Sequence, residues 1–367
     1  MKIVHCLNSL NVGGAESLVT DYVIYLKEND LDVNIVIFNK YKESILHDKL
    51  VGNNIQPIYL LDDKQRKSIG YILDKISLIL NWKKFLNKNQ IDVIHAHIKT
   101  SNYLIFANSK KTKLFYTYHS NIERYVKYLG KTWLYILRFL IEKKDLKTFV
   151  LNSKMLNDAK KIVNKKNVYY MPNSIDFKKI KNRQIDRNKL KQSIGINDEF
   201  IIIHVGRINP VKNHQKLLEV FYEIKKIKKN SKLVIVGTGE KDYISLLKER
   251  IKELNLEKDV IFLGLRKDIP DLLSVSDCLI FPSFQEGFPM VVLEAQIVNT
   301  KCIVSKAVPK ELICNENCLS LDIADESSLW ANYALGNYRN TSLKNIDEFN
   351  MDVVMKRIIE FYGAKNV

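Results

Sequence analysis

Long apolar runs are missing from this chain of 367 residues. No stretch approaches the ~18–20 apolar residues that span a bilayer as a helix, so an integral helical membrane protein is excluded. The opening residues, Met1-Lys-Ile-Val-His-Cys-Leu7, enter a strand directly. They lack the apolar region and small-residue cleavage site of a signal peptide, and the expected location is cytoplasmic. Cysteine is scarce and odd in number: Cys6, Cys278, Cys302, Cys314 and Cys318 form no C-x-x-C pair. Cys314 and Cys318 are four apart, but no second Cys or His pair completes a zinc set, so free thiols are expected. Glycine is thin as well. The turn Val236-Gly-Thr-Gly239 has Asp242 where the third glycine of a dinucleotide fingerprint would fall, and no P-loop lysine follows, which removes NAD and ATP as expected ligands. There is no repeat of fixed period and no aromatic-plus-basic motif of a nucleic-acid module, so no nucleic-acid partner is expected.

Positive charge is abundant. The formal net charge is +17, and through Ile175 there are 28 Lys+Arg against 15 Asp+Glu, leaving 30 against 26 in the remainder. The excess therefore sits in the first half. Two readings stand: a compositional bias with solvated lysines, or attraction to an anionic membrane surface or lipid-linked partner. Residues Tyr125 to Thr148, which mix aromatic and basic side chains around Trp133–Ile141, fit either a core helix with basic ends or an amphipathic helix in a membrane interface.

Short apolar runs alternate with helical segments along the whole chain. Lys2–Leu7, Val33–Phe38, Pro57–Leu61, Ile91–His97, Leu114–His119 and Phe149–Ser153 read as strands of a first domain, the last with Ser153 as a helix cap. Phe200–Gly206, Lys232–Gly239, Val260–Gly264, Cys278–Phe281 and Cys302–Ser305 read as strands of a second. This is the pattern of parallel, doubly wound sheets. The expected division is 1–176 for an N-terminal Rossmann-like domain and 177–199 for a polar linker. A C-terminal Rossmann-like domain would fill 200–345, and 346–367 would carry a helix returning to the first domain.

Ligands on such sheets bind beyond the carboxyl ends of the strands, and candidate residues gather there. Gly13 and Gly14 precede a helix and allow close backbone approach. His95 and His97 share one strand face, compatible with a metal or with satisfied structural histidines, and His119 ends its strand at a polar loop. Arg207 and Lys212 stand between a strand and a helix, a guanidinium fork and a compact ammonium suited to a diphosphate. The stretch Phe281–Gln296 holds Glu286 and Gly287 in a loop, Pro289 suited to the first helical position, and Glu294 on the helix beyond. Two acids beside a helix N-terminus suit a ligand with both phosphates and hydroxyls, as a nucleotide sugar has.

Glu286-Gly-Phe-Pro…Glu294 resembles the E-x7-E signature of retaining glycosyltransferases of family four with the GT-B fold. Gly206-Arg207…Lys212-Asn213 resembles their donor-phosphate pair. Gly13-Gly14-Ala-Glu16, His119, Met171-Pro-Asn173, Gly237-Thr-Gly239 and Phe262-Leu-Gly264 follow the family's order over nearly the whole chain. The Ala-Glu after the first glycines and the ending Glu-Ala-Gln296 resemble the capsular and exopolysaccharide branch. One departure stands out: Asn299-Thr-Lys301 replaces the common Gly-x-Pro turn, which Asn can still make in the left-handed conformation.

The resemblance implies two Rossmann-like domains facing across a cleft, and a transfer of a hexose or hexosamine from a nucleotide-diphosphate sugar to a growing, lipid-linked bacterial glycan. It gives Glu294 to the ribose hydroxyls, Glu286 with the Gly287-Phe288-Pro289 backbone to the donor sugar, and Arg207 and Lys212 to the leaving diphosphate. Gly13, Gly14, Gly206 and Gly237 would line the donor, and His119 would contact sugar or acceptor. It implies no metal cofactor. The only Asp-x-Asp, Asp30-Leu-Asp32, precedes a strand instead of following one. A retaining hydrolase using both acids leaves the two cations unexplained. An epimerase or nucleotide-sugar hydrolase on this fold, or a non-catalytic glycan or nucleotide binder, remains as the alternative.

Overall fold

The computed structural model describes the chain except residues 12, 40–43, 62–68, 164–165, 338–341 and 365–367, with the backbone alone for 69–71. Val12 of the expected loop 8–16 thus lies outside the described residues. The chain forms two compact units, Met1–Ser174 with Asp352–Val367, and Ile175–Met351.

The first unit is built on β1 (Lys2–Leu7), β2 (Asp32–Ile37), β3 (Ile58–Tyr59), β4 (Val93–His97), β5 (Lys113–Tyr118), β6 (Lys147–Val150) and β7 (Val168–Tyr170). They form one sheet in the order β3-β2-β1-β4-β5-β6-β7, and every pairing between these strands is parallel. Strand β4 is buried along its whole length and β1 beyond Lys2, as expected where crossover helices cover both faces. The second unit repeats the plan with β8 (Phe200–Val205), β9 (Ser231–Val236), β10 (Val260–Gly264), β11 (Cys278–Phe281), β12 (Lys301–Ser305) and β13 (Cys318–Leu321), in the order β10-β9-β8-β11-β12-β13. Its core gathers Leu217, Phe221 and Ile224 from helix His214–Ile227, Trp330 from helix Ser327–Leu335, and Ile202, Leu233, Ile280 and Ile303 from the sheet.

Several expectations shift. The polar stretch 177–199 belongs to the second unit and carries helices Phe177–Lys181 and Arg187–Ser193. Four spaced apolar residues, Phe177, Ile180, Ile194 and Ile196, are buried and anchor an otherwise largely exposed stretch, and an Arg183–Asp271 ion pair fastens it to helix Ile269–Ser274. The chain enters the second unit after Ser174 and leaves it after Met351, so helix Met351–Tyr362 joins the first unit from Asp352 onward. There Phe361 packs on Phe149 and Tyr169. Asn152, rather than Ser153, caps the helix Ser153–Val163: its side-chain oxygen accepts from Met155 N–H at 2.8 Å. Pro289 is the N-cap of helix Met290–Ile297, one residue before the first helical position. Asn299 does take the left-handed conformation, φ 60°, and its neighbour's N–H (Thr300) bonds the Ala295 carbonyl at 2.8 Å, so the helix ends without Gly-x-Pro.

The basic-aromatic segment is helix Ile122–Lys143, broken at Gly130, where φ is 81° and ψ 176°. Trp133, Leu137, Leu140 and Ile141 are buried, while Tyr128, Tyr135 and Phe139 are exposed. It is therefore a core helix by its inner face and aromatic on its outer one. All five cysteines are free and buried, and no described helix is long and apolar enough to cross a membrane.

Gln296, fully buried near the end of helix Met290–Ile297, has its amide satisfied. Nε2 donates to the Val292 and Leu312 carbonyls at 2.9 and 2.7 Å, and Oε1 accepts from Cys314 N–H at 2.8 Å. Gln296→Leu strands the Cys314 N–H and the Leu312 carbonyl in the core. The substitution should cost about 1–3 kcal/mol for each group left unsatisfied, read as a lower denaturant midpoint for the second unit; an unchanged midpoint would contradict this packing.

Candidate functional site

In the second sheet the strand order reverses direction between β8 and β11, the place where open parallel sheets leave a crevice beyond their carboxyl ends. The loops that leave these two strands carry the candidate cations and Glu286. After β8 comes Gly206-Arg207-Ile208-Asn209, with Gly206 N–H bonded to Val236 O at 2.9 Å and Ile208 N–H to Thr238 O at 2.8 Å. This ties the loop to the turn after β9. Gly237 has φ 137°, and a Cβ there would run into the Gly206 carbonyl, so only glycine lets the two turns meet. Asn209 caps the short turn Pro210–Lys212, and Asn213, left-handed at φ 53°, caps helix His214–Ile227.

The loop after β11 is fastened to this one by Phe284 N–H donating to Val211 O at 2.8 Å. The result brings Lys212 and Glu286 together: Nζ lies 2.7 Å from Oε1, with side chains only 18% and 9% exposed. Lys212 Nζ also sits 4.5 Å from the centre of the Phe281 ring, and a Cβ on Gly206 would approach its Cε to 3.3 Å. Arg207 is exposed, Gly287 half-buried, Phe288 and Pro289 buried, and Glu294 half-buried on the helix that follows. The family resemblance assigned Lys212 and Glu286 to different parts of a ligand; their direct pairing and the Phe281 ring beneath were not legible, because 74 residues separate the pair and neither spacing encodes a contact. Beneath the first loop, His204 and His214 are buried with rings 4.7 Å apart. Burial holds His204 well below the usual imidazole range and His214 at about 4.

The first unit holds a separate group of candidate residues. Gly13 is the N-cap of helix Gly14–Glu28, which starts three residues earlier than the expected Ser17. A Cβ on Gly14 would meet nothing within 4 Å, so internal packing does not require that glycine. His119 follows β5 and is half-buried; desolvation lowers its pKa to about 4. It is the outer member of a histidine row on the switch-point strands β1 and β4. His119 Nε2 lies 3.1 Å from His97 Nδ1, and His97 Nε2 lies 3.0 Å from His5 Nδ1. His95 Nδ1 is 2.5 Å from the Tyr362 hydroxyl and its Nε2 2.7 Å from Thr117 Oγ1. His5 and Tyr362 were not singled out from the sequence. Register shows His5 beside His95, whereas nothing local announces Tyr362.

His5, His95 and His97 are, among the described residues, the one group with the donor types and spacing for a metal, their ligand atoms within 4.8 Å of one another. Their nitrogens are engaged with one another, with Thr117 and with Tyr362, and among the described residues no carboxylate takes part in those hydrogen bonds. Burial drives His5 down to about 3 and holds His95 and His97 well below the normal imidazole value, with neighbouring imidazoles adding to the effect for the latter two. Unfolded, each imidazole takes a proton near pH 6.5; folded, each refuses it until much lower. Stability is therefore fully present above about pH 6.5 and lost as pH falls. For His5 alone the loss reaches about 2 kcal/mol at pH 5. The thermal midpoint of the first unit should fall between pH 7 and 5, less steeply in His5→Asn; a flat profile would show that these rings are not held neutral.

Comparison with known proteins identifies the family and the fold. Residues 12–179 match the family model described as Glycosyltransferase Family 4, and residues 186–318 match Glycosyl transferases group 1. The chain is 28% identical over 338 residues to the Escherichia coli UDP-Gal:alpha-D-GlcNAc-diphosphoundecaprenol alpha-1,3-galactosyltransferase, covering 87% of this chain and 81% of that one. It is 24% identical to the capsular polysaccharide biosynthesis glycosyltransferase CapH of Staphylococcus aureus, over the full length of both. Among solved structures it is similar to Anabaena HepE in complex with UDP and glucose, with a TM-score of 0.78, 19% identity and 99% of each chain covered. With a family-four domain followed by a group-one domain on two parallel Rossmann-like sheets, this chain is a glycosyltransferase of the GT-B fold.

Proposed function

We propose that this enzyme moves a hexose or hexosamine from a nucleotide-diphosphate sugar onto a growing, lipid-linked bacterial surface glycan, with retention at the anomeric carbon. The Lys212–Glu286 pair at the carboxyl ends of β8 and β11 carries the reading, because it sets a cation and an acid side by side where such sheets take anionic ligands. The relatives point to the same acceptor class: the E. coli and Campylobacter jejuni enzymes are named for diphosphoundecaprenol-linked acceptors.

In this reading Arg207 and Lys212 neutralise the diphosphate as its charge develops, the largest single contribution in many transfer reactions. Glu286 with the backbone of Gly287, Phe288 and Pro289 holds the donor sugar, and Glu294 takes the ribose hydroxyls. Gly206 and Gly237 keep backbone close to the nucleotide. On the first unit, Gly13 and Gly14 serve the phosphates and His119 a hydroxyl of sugar or acceptor. Two cations do the work a metal would otherwise do, so no metal cofactor is required.

Lys212→Met and Glu286→Gln should each reduce sugar transfer by about 10²- to 10³-fold, the effect of removing one preorganised charge-stabilising group, with EDTA leaving the native rate unchanged. The assay uses a panel of UDP- and GDP-sugars, first screened by which one raises the unfolding temperature. Undiminished turnover in both variants would remove these residues from the site. Nucleoside diphosphate released without a lengthened acceptor would favour a hydrolase or epimerase, and no donor turnover at all a binding protein.

The enzyme is also proposed to work as a peripheral protein on the anionic inner face of the cell membrane. Ile72, Ile76 and Leu80 lie one turn apart on helix Ile69–Lys88 and are 62%, 50% and 59% exposed. Exposed Lys75, Lys83, Lys84 and Lys88 share that helix, and exposed Lys127, Lys131, Arg138 and Lys143 share the other with Tyr128, Tyr135 and Phe139. Apolar side chains bordered by cations suit an anionic lipid surface. Vesicles containing phosphatidylglycerol should retain the protein at low salt and release it at high salt, and Ile76→Glu with Leu80→Glu should abolish retention. No retention of the native chain at low salt would leave the basic half as composition alone.

A further inference from the structure

The histidine row has a direction. At neutral pH its four imidazoles are uncharged, because burial disfavours the charged form of each. A neutral imidazole offers one N–H and one bare nitrogen. Each hydrogen bond between two such rings therefore fixes the tautomer of the next, and a single choice anywhere sets them all. The row runs His119, His97, His5, Tyr362, His95, Thr117, with heavy-atom separations of 3.1, 3.0, 3.4, 2.5 and 2.7 Å in that order.

Tyr362 makes the choice. Its phenol has one proton and two imidazole neighbours, His95 Nδ1 at 2.5 Å and His5 Nε2 at 3.4 Å. The short contact suits the phenol O–H as donor, since O–H donors approach an acceptor more closely than N–H donors do. His95 Nδ1 is then the acceptor, and its Nε2–H donates to Thr117 Oγ1. On the other side the phenol oxygen can only accept from His5, so His5 carries its proton on Nε2 and its Nδ1 is bare. That bare nitrogen must receive Nε2–H of His97, whose Nδ1 must in turn receive Nε2–H of His119. The ring nitrogen of His119 outside the row, Nδ1, is left with a lone pair.

We infer that Tyr362, from the returning helix, locks His119 as its Nε2–H tautomer, so that His119 presents Nδ1 as a hydrogen-bond acceptor for a hydroxyl-bearing ligand and never as a donor. Only the last step, the presence of a ligand at Nδ1, rests on the reading of His119 given above. Tyr362 touches no ligand; it is a positioning residue that acts through three rings. Each nitrogen of the three central histidines already has a hydrogen-bond partner, so a metal would have to displace those bonds to be held there.

The test is the ring-nitrogen spectrum of the full chain, labelled with ¹⁵N-histidine, at pH 7.5. The native protein should show His5, His95, His97 and His119 all as Nε2–H tautomers. Tyr362→Phe removes the acceptor for His5 Nε2–H. The row beyond it should then reverse, turning His5, His97 and His119 to Nδ1–H so that no buried N–H is stranded. Thr117→Val, nearly isosteric, removes the acceptor at the far end and should reverse the whole row while keeping the phenol, which covers the case in which Tyr362→Phe does not fold. Phe361→Leu, on the same helix but outside the row, should loosen packing and leave every tautomer as it was.

Reversal in both row variants, with sugar transfer reduced about tenfold in kcat, supports the lock and its use. Reversal with transfer unchanged supports the lock and overturns the role of His119 at the ligand. A native His119 with its proton on Nδ1, or one that keeps its tautomer in both variants, overturns the lock. One equivalent of bound zinc in the purified chain, with the N–H signals of His5, His95 and His97 displaced, overturns it in favour of a metal site.

Discussion

Parallel strands impose the constraint on which everything else rests. Each must be followed by a crossover before the next can pair, so all the carboxyl ends of a sheet point one way and all the crossover loops begin at that edge. Where the order reverses, at β1/β4 in the first sheet and β8/β11 in the second, the loops part in opposite directions and leave room. The candidate residues follow that rule closely. Gly13 and Gly14 come after β1 and Lys212 after β8, while Glu286 comes after β11. The Lys212–Glu286 pair is thus a product of topology: two loops leave adjacent strands, and one backbone bond, Phe284 N–H to Val211 O, holds them in register. A lysine and a glutamate this shielded from water stabilise each other as ions only because their geometry is fixed beforehand, for desolvation works against both. Glycine at 237, where any Cβ would strike the neighbouring turn, is part of that fixing.

Much of this was legible in the chain itself, for a definite reason. Strands buried on both faces must be continuous apolar runs, so Phe200–Val205 and Cys278–Phe281 stand out. Loops at the ligand edge must carry the glycines and charges, so Glu286, Arg207 and Lys212 stand out between those runs. What could not be read were relations set by packing alone. The segment 177–199 looked like a linker because four buried apolar residues among many lysines give no periodic signal. Asn152 and Pro289 took caps one residue from where propensity placed them, since a cap is decided by which side chain reaches the free N–H groups. Tyr362 lies 267 residues from its partner His95, and no local pattern could announce that contact.

The two units solve the same problem with different chemistry. Below the loops of the second sheet, His204 stacks on Phe281 and Lys212 Nζ lies over that same ring, so the ion pair rests on an aromatic floor. Below the loop after β5 in the first sheet, the floor is polar: three fully buried imidazoles take the place of aliphatic side chains such as those that fill β2. A buried imidazole without partners would be costly, and the row satisfies all three by passing protons along one line.

That line makes the polar floor behave as one body. In an apolar core, replacing one side chain alters its neighbours by volume, and the disturbance fades over a contact or two. In a chain of neutral imidazoles the disturbance does not fade, because each ring has only two states and each bond dictates the next. Low dielectric strengthens this, since reversing a single ring would set two donors or two lone pairs face to face in a place water cannot relieve. Sequence variation at Tyr362, Thr117 or His5 is then constrained by proton direction rather than by size: a residue at these positions must both accept and donate, or must end the line at the correct end. Asn299, by contrast, stands in for a glycine turn because the requirement there is a single backbone angle, which it adopts. The difference between a position that must supply one dihedral and a position that must pass on a direction separates the tolerant parts of this fold from the exacting ones.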